Sequence, residues 1–207
     1  MSVQTRLEEQ LNTISHGIGA LLGIAGLVIL LVKQDNTPWS LFSVLAYGIS
    51  IIILFTASTL YHAARTETRK HYFRIVDHVS IYLLIAGTYT PVLLLLLSNS
   101  KGWELFWAVW GIAVFGVILK LFFTGRFEIF STLLYLVMGW LIVFDFDALV
   151  NSMESGGLML LIAGGLAYTV GIVFYAIRRI PYNHVIWHVF VLAGAICHYL
   201  MILLFVV

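Results

Sequence analysis

Apolar residues in this chain run in long uninterrupted blocks that are separated by short polar segments. A membrane-spanning helix needs about 20 mostly apolar residues, and seven blocks meet that length. They lie at about 14–32, 40–62, 78–98, 103–123, 129–147, 157–177 and 184–206. Within the blocks, apolar and polar positions do not alternate as they do in the strands of a membrane barrel. The pattern therefore predicts an all-α membrane protein, a bundle of seven transmembrane helices. Because the connections are short, the whole chain, 1–207, is expected to form one domain.

Composition narrows the class of protein further. Hydrophobic residues make up 61% of the chain and charged residues 10%, whereas soluble domains carry roughly 25% charged residues. A soluble globular protein is therefore excluded. The net charge is only +1 and no basic stripe is present, so no nucleic-acid partner is expected. The natural surroundings, and the expected class of partner, are membrane lipids.

The distribution of lysine and arginine predicts how the bundle is oriented. Loops on the cytoplasmic side of a membrane carry an excess of these residues. If the N-terminus is cytoplasmic, nine of the eleven lie on the inner side and only two on the outer side. The inner set is Arg6, Arg65, Arg69, Lys70, Arg74, Lys120, Arg126, Arg178 and Arg179, and the outer set is Lys33 and Lys101. The sequence therefore predicts a cytoplasmic N-terminus and a C-terminus outside, the reverse of rhodopsins. The seventh block also lacks the lysine that retinal would need.

Several chemically active side chains fall at one depth in this topology. His184 and His188 open the seventh block four residues apart, so they share a helix face. His62 ends the second block in the segment STLYH, and Asp77 precedes the third block in RIVDH. His16 begins the first block at the same level. The topology thus gathers four histidines and one carboxylate near the cytoplasmic side.

Three imidazoles with an open fourth position form a typical catalytic zinc site. His62, His184 and His188 supply such a set from two helices. A nearby carboxylate can act as general base on the attacking water, and Asp77 is placed for this role. Ser58 lies one turn before His62 and can donate a hydrogen bond to an oxyanion or to the water. The alternative interpretation is structural: a histidine inside a membrane helix often hydrogen-bonds a neighbouring helix, and Asp77 lies near enough to Arg74 for an ion pair.

The remaining histidines are assigned elsewhere. His198 lies roughly 15 Å beyond His188 along the helix, so it cannot bind the same metal and is expected to contact a neighbouring helix. A haem held by two such pairs is not expected, because no second block carries a matching pair. His71 is expected in a solvated basic loop. His78 follows Asp77 but faces about 100° away on a helix, so it is expected outside the site.

The motifs together resemble the hemolysin III-like bacterial branch of the progestin and adipoQ receptor family. That family includes the adiponectin receptors and shares a superfamily with the alkaline ceramidases. The resemblance covers all seven blocks and rests on three motifs in order. They are ExxNxxxH at Glu9, Asn12 and His16; SxxxH at Ser58 and His62, followed by Asp77; and HxxxH at His184 and His188. A multi-pass protein of the bacterial cell (inner) membrane is the localisation that this resemblance implies.

The resemblance implies zinc near the cytoplasmic face, bound by His62, His184 and His188, with Asp77 holding a water and Ser58 nearby. Glu9, Asn12 and His16 are not established zinc ligands of the family, and we expect them to stabilise or gate the mouth of the site. Three hypotheses about function follow. The first is a zinc hydrolase, similar to a ceramidase, that cleaves an amide or ester bond of a membrane lipid. The second is a non-catalytic regulator or receptor-like protein with a structural zinc, and the third is a haemolysin or pore, for which the sequence offers no amphipathic segment.

Overall fold

A computed structural model describes residues 4–177 and 179–207 of the chain. Arg178, counted above among the inner basic residues, lies outside the described residues. The helices are α1 (Arg6–Lys33), α2 (Ser40–Ala63), α3 (Glu67–Pro91), α4 (Gly102–Phe123), α5 (Glu128–Gly139), α6 (Phe146–Ser152), α7 (Ser155–Ala176) and α8 (Asn183–Phe205). In these residues the helices make seven segments that are long and apolar enough to cross a membrane. The predicted all-α bundle of seven spans is therefore confirmed.

Two helices extend further into the polar sequence than hydropathy predicts. Helix α1 begins at Arg6 rather than near residue 14. A capping box starts it: the Thr5 side chain accepts a hydrogen bond from the backbone N–H of Glu8, and the Glu8 carboxylate accepts one from the Thr5 N–H. Such a box satisfies two backbone donors that the first turn leaves free. Helix α3 likewise begins at Glu67 rather than near residue 78.

The extension of α3 corrects the expected basic loop. Most of the segment between the second and third apolar blocks is helical, so His71 lies on α3, although its side chain is exposed as expected. Charged residues such as Glu, Lys and Arg are good helix formers, and a helix that leaves the membrane has no need of an apolar surface. Hydropathy therefore detects only the part of the helix that lies in lipid.

Two spans are not continuous α-helices. Pro91 ends α3, and a π-helical turn over Val92–Leu96 continues the third span; proline lacks the N–H that a regular α-helix requires there. The fifth span breaks after Gly139, passes through a 3₁₀ turn at Leu141–Asp145 and resumes as α6. The Tyr89 hydroxyl donates to the Gly139 carbonyl at 2.8 Å and accepts from the Ile142 N–H at 3.1 Å. One side chain of the third span thus satisfies backbone groups that the break releases.

The helices pack most extensively in the sequential pairs α1 with α2, α2 with α3, and α7 with α8, while α1 also contacts α8. Glycines on α1 allow close approach. A Cβ at Gly19 would lie 2.6 Å from the Phe55 ring of α2, and one at Gly26 would lie 2.8 Å from the Tyr199 ring of α8. Helices α5 and α7, by contrast, barely touch each other. Helices α1, α3 and α8 begin at one end of the bundle, and α2 finishes there. We call this end of the bundle the basic end.

Candidate metal centre

Three histidines from two distant parts of the chain meet at the basic end. His62 lies in the last turn of α2, and His184 and His188 lie in the first turns of α8. Each offers a ring nitrogen, and these nitrogens all lie within 4.8 Å of one another. The ring centroids are 4.7 to 5.1 Å apart. The sequence prediction that these residues lie together is confirmed.

The arrangement fits a tetrahedral metal ion. Zinc–nitrogen bonds are roughly 2.0–2.1 Å long, which places two nitrogens of one tetrahedral shell about 3.3 Å apart. Nitrogens already within 4.8 Å therefore need only small side-chain rotations to share an ion. His62 and His188 are almost fully buried, and Nε2 of His62 has no hydrogen-bond partner. A buried nitrogen with a free lone pair is what a metal site requires.

Glu9 contacts this cluster, which the sequence interpretation did not anticipate. Its Oε2 accepts a hydrogen bond from His62 Nδ1 at 2.6 Å, and its other oxygen pairs with the Lys70 ammonium of α3. The contact exists because α1 starts at Arg6 and so carries Glu9 to the depth of His62. The available signal was the ExxNxxxH spacing: residues 9, 12 and 16 fall on one face of a helix.

His16 and Asn12 complete the α1 side of the cluster, and both are buried. The His16 ring stacks on His188, with centroids 3.6 Å apart and planes at 10°. It also meets the edge of Phe55 at 5.0 Å. Neither nitrogen of His16 has a partner in the described structure. The expectation that the α1 motif lies at the mouth is thus refined, because its side chains touch the histidine ligands themselves.

A cavity of about 150 Å³ extends from His184 into the bundle between α3, α5, α7 and α8. His184, Asp77 and Ser58 all line its inner end, so the predicted base and hydroxyl share one space with a predicted ligand. The walls beyond are mostly apolar, and they include Leu84, Ile85, Leu136, Ile172 and Val191. Trp140, just after α5, and Thr169 of α7 also line the cavity, and a 3.2 Å hydrogen bond joins the indole N–H to the hydroxyl.

Three histidines outside the trio also border the cavity: His16, His78 and His198. The predicted interhelical role of His198 is confirmed by its Nε2, which lies 3.2 Å from the Leu161 carbonyl of α7. His198 lines the far end of the cavity, roughly 21 Å from His184 along α8. The expectation that His78 lies outside the site needs correction: its side chain also lines the cavity. A 100° offset from Asp77 is too small to remove it from so wide a space.

The expected Asp77–Arg74 ion pair is not formed among the described residues. Arg74 instead donates to Glu128 Oε1 at 3.0 Å, and Lys120 donates to Glu128 Oε2 at 3.0 Å. Lys120 was counted above among the inner basic residues, and its side chain proves to be only 1% exposed. The Glu128 carboxylate at the start of α5 draws both cations inward and leaves Asp77 free to face the cavity.

Comparison with known proteins identifies the family. The family model described as "Haemolysin-III related" matches residues 4–199. The chain belongs to this family. It is 42% identical to Hemolysin-3 of Bacillus cereus over 96% of this chain and 92% of the relative, and 42% identical to the Hemolysin-3 homolog of Bacillus subtilis (strain 168) over 97% and 95%. It is also similar to the Monocyte to macrophage differentiation factor of Homo sapiens, at 31% over 94% and 83%.

Membership of the haemolysin III family confirms the resemblance inferred from the three motifs. The match spans from the start of α1 into the end of α8, so it includes every helix that contributes to the histidine cluster. The seven apolar segments and the family together indicate a multi-pass membrane protein. The cluster of His62, His184 and His188 is a site that could hold a metal ion.

Proposed function

We propose that this protein is a zinc-dependent hydrolase that cleaves an amide or ester bond of a membrane lipid. The observation that carries the proposal is one juxtaposition. One of the three histidines able to hold a metal, His184, lines an apolar cavity together with Asp77 and Ser58, and the ring nitrogens of His62 and His188 lie within 4.8 Å of its own. Ligand pockets are typically apolar with a few convergent polar groups, and this cavity has that character.

The shape of the bundle supports a lipid as the substrate. The cavity walls are mostly apolar, and the space runs from His184 to His198, on the order of 20 Å along α8. Helices α5 and α7 touch each other little, and a hydrogen bond joins Trp140, just after α5, to Thr169 of α7. An acyl chain entering from the bilayer between these helices would place its polar end toward the histidines.

The chain's own residues then have distinct roles. A bound zinc ion supplies Lewis acidity to the carbonyl group of the amide or ester that is to be hydrolysed. The Asp77 carboxylate takes a proton from the attacking water and delivers it to the leaving nitrogen or oxygen, which is general acid–base catalysis. The Ser58 hydroxyl, buried one turn from His62, donates a hydrogen bond to the developing oxyanion. His62, His184 and His188 hold the ion and exclude competing ligands by their burial.

The experiment combines metal analysis with lipid turnover on detergent-purified protein. We expect one zinc per chain in the wild type and hydrolysis of at least one member of a panel of amide- and ester-linked lipids. His188→Ala should lose both. Asp77→Asn should keep the zinc and lose turnover by about 10²- to 10⁴-fold, the usual contribution of a general acid–base.

His71→Ala is the matched control, because His71 is exposed on α3 away from the cavity; it should keep both zinc and turnover. Wild-type protein that contains no zinc would overturn the metal site. Zinc-loaded protein that is inert toward the whole panel would overturn the hydrolase and leave the metal site standing.

The second candidate is a regulator in which the metal is structural. One finding favours it: the human relative is named for monocyte to macrophage differentiation rather than for a reaction. In that case a cellular phenotype would survive Asp77→Ala and disappear with His62→Ala. A direct haemolysin, suggested by the names of the Bacillus relatives, would lyse red cells when the purified protein is added. We expect no such lysis.

We also propose that residues 1–207 form one domain in the bacterial cell (inner) membrane, with the basic end facing the cytoplasm. The excess of arginine and lysine at that end supports this orientation. Single cysteines introduced at His71 and at Asn151, in a background with Cys197→Ala, provide the test. A membrane-impermeant maleimide applied to intact cells should label the cysteine at 151 and not the one at 71; the opposite pattern would reverse the topology.

A further inference from the structure

We propose that α1 supplies two positioning residues of the metal centre, Glu9 for His62 and His16 for His188. The proposal rests on the metal binding proposed above and adds a role for a motif that lies outside the ligand set. The two residues are seven positions apart, so they stand on the same face of α1, two turns from each other. That face is turned toward the ends of α2 and α8 where the ligands lie.

Glu9 determines which nitrogen of His62 is available. A neutral imidazole has one N–H and one lone pair, and the hydrogen bond at one nitrogen decides where the lone pair resides. The Glu9 carboxylate has no proton to give, so His62 Nδ1, 2.6 Å away, must be the donor. The lone pair is therefore on Nε2, which is buried and has no other partner. A histidine that binds a metal characteristically donates its second N–H to a carboxylate in this way.

Glu9 is itself held in place by a second contact. Its Oε1 pairs with Lys70 of α3 while its Oε2 accepts from His62 of α2. The side chain of Glu9 is only 20% exposed, so both contacts are partly shielded from water. A carboxylate fixed at both oxygens cannot rotate away from the imidazole. The contacts also join α1, α2 and α3 at the depth of the ligands.

His16 acts through its ring rather than through its nitrogens. The ring lies flat on His188, with centroids 3.6 Å apart, and it makes a T-shaped contact with Phe55, with centroids 5.0 Å apart. Both of its nitrogens lack partners, so no hydrogen bond explains its place. Stacked aromatic rings attract each other and restrict each other's rotation. We infer that this stack holds the His188 ring in the plane from which it reaches the ion.

The test for Glu9 measures metal affinity and the ligand field, not lipid turnover. Cobalt(II) is the probe, because its visible absorption reports ligand geometry. We expect Glu9→Ala to bind cobalt and zinc about 10- to 100-fold more weakly, the usual effect of losing a hydrogen-bond partner of a ligand. The metal affinity of Glu9→Gln should lie between those of the wild type and Glu9→Ala. Its amide oxygen still accepts the hydrogen bond from His62 Nδ1–H, but it carries no charge.

Glu8→Gln is the matched control. It makes the same change of charge one residue away, and glutamine preserves the capping box. The metal affinity of the Glu8→Gln variant should therefore equal that of the wild type. A metal-free readout accompanies these measurements: ¹⁵N chemical shifts of the His62 ring should report the Nδ1–H form in the wild type and a shift toward the Nε2–H form in Glu9→Ala. If Glu9→Ala does not fold, Glu9→Gln carries both measurements.

The outcomes separate this inference from the proposed function. Wild-type protein that binds neither zinc nor cobalt overturns the proposed function. Glu9 variants with wild-type affinity, cobalt spectrum and tautomer overturn the role of Glu9 alone. For His16, Phe and Ala substitutions form the matched pair. His16→Phe should bind metal as the wild type does and His16→Ala about 10-fold more weakly; equal losses in the two would overturn the stacking role.

Discussion

Two largely buried polar clusters share the basic end of the bundle, and they differ in how fully their polar groups are paired. In the charged cluster of Arg74, Lys120 and Glu128, each cation contacts an oxygen of the same carboxylate. In the histidine cluster, His62 Nε2, His188 Nδ1 and both nitrogens of His16 are buried without partners in the described residues. The charged cluster is therefore complete, meaning that its charged groups are paired with one another. The histidine cluster is incomplete, because several of its nitrogens have no partner.

The difference separates a structural cluster from one built for a ligand. Buried polar atoms in proteins are normally hydrogen-bonded, and each one left unpaired costs about 1–3 kcal/mol. Several such atoms lie together in the histidine cluster, and the metal ion proposed above would offset their cost by binding to them. The charged cluster needs no ligand, because its helices already satisfy it.

The largest expected effect comes from breaking the complete cluster. Glu128→Leu leaves Lys120 buried and unpaired, and loss of one partner of a buried pair costs about 3–5 kcal/mol. We expect the lower end of that range, because the Glu128 side chain is 25% exposed. The free energy of unfolding, measured with sodium dodecyl sulfate in mixed micelles, should therefore fall by about 3 kcal/mol. Metal content per folded chain should stay unchanged.

Adding Lys120→Met to Glu128→Leu is the control for this prediction. It removes the unpaired ammonium, so part of the lost stability should return. If the double variant were no more stable than the single one, the ion pair would not be the source of the loss.

A smaller effect is expected from the incomplete cluster, and it should depend on metal. His188→Leu removes a buried nitrogen without a partner, so the metal-free protein should be as stable as the wild type or slightly more so. With zinc at about 100 times its dissociation constant, the wild type should gain about 2.7 kcal/mol. The variant should gain nothing. Thermal unfolding with and without zinc checks both statements, and a large loss in the metal-free variant would contradict the distinction between the clusters.

The smallest effect is expected at His198, whose ring has one paired and one unpaired nitrogen. Its Nε2 is paired with the Leu161 carbonyl, whereas its Nδ1 is buried without a partner. Hydrogen bonds between membrane helices contribute about 0.6 kcal/mol on average and at most roughly 1.7. His198→Phe should therefore lower the free energy of unfolding by about 0.6 kcal/mol, and by no more than roughly 1.7 kcal/mol. The affinity for zinc should stay unchanged. Loss of zinc in this variant would show that the far end of the cavity is coupled to the metal centre.

Sequence alone predicted that the three histidines lie together, because their signal is local and repeated. His184 and His188 lie one turn apart, and the ends of apolar blocks fix the depth at which His62 meets them. The direct contact of Glu9 with His62 was not predicted, because it joins residues 53 positions apart and depends on a polar helical turn that hydropathy does not detect. The break after Gly139 was missed as well, since it depends on a tyrosine from another span.

The cavity was beyond prediction for a different reason. It arises from the separation of α5 and α7, which is a property of packing and not of any one segment. The same holds for Lys120, whose burial follows from the position of Glu128 at the start of α5. A count of charges registers both residues but does not show that they meet.

The order in which the ligands leave the ribosome follows from their places in the chain. His62 emerges with the second span, whereas His184 and His188 belong to the last one. Chains are made from the N-terminus at about 5–20 residues per second, so the metal trio is completed only when synthesis is nearly over. A chain that stalls or inserts without its final helix carries His62 and Glu9 but not the trio. With the metal binding proposed above, uptake of metal would report that the chain has been made through its last helix.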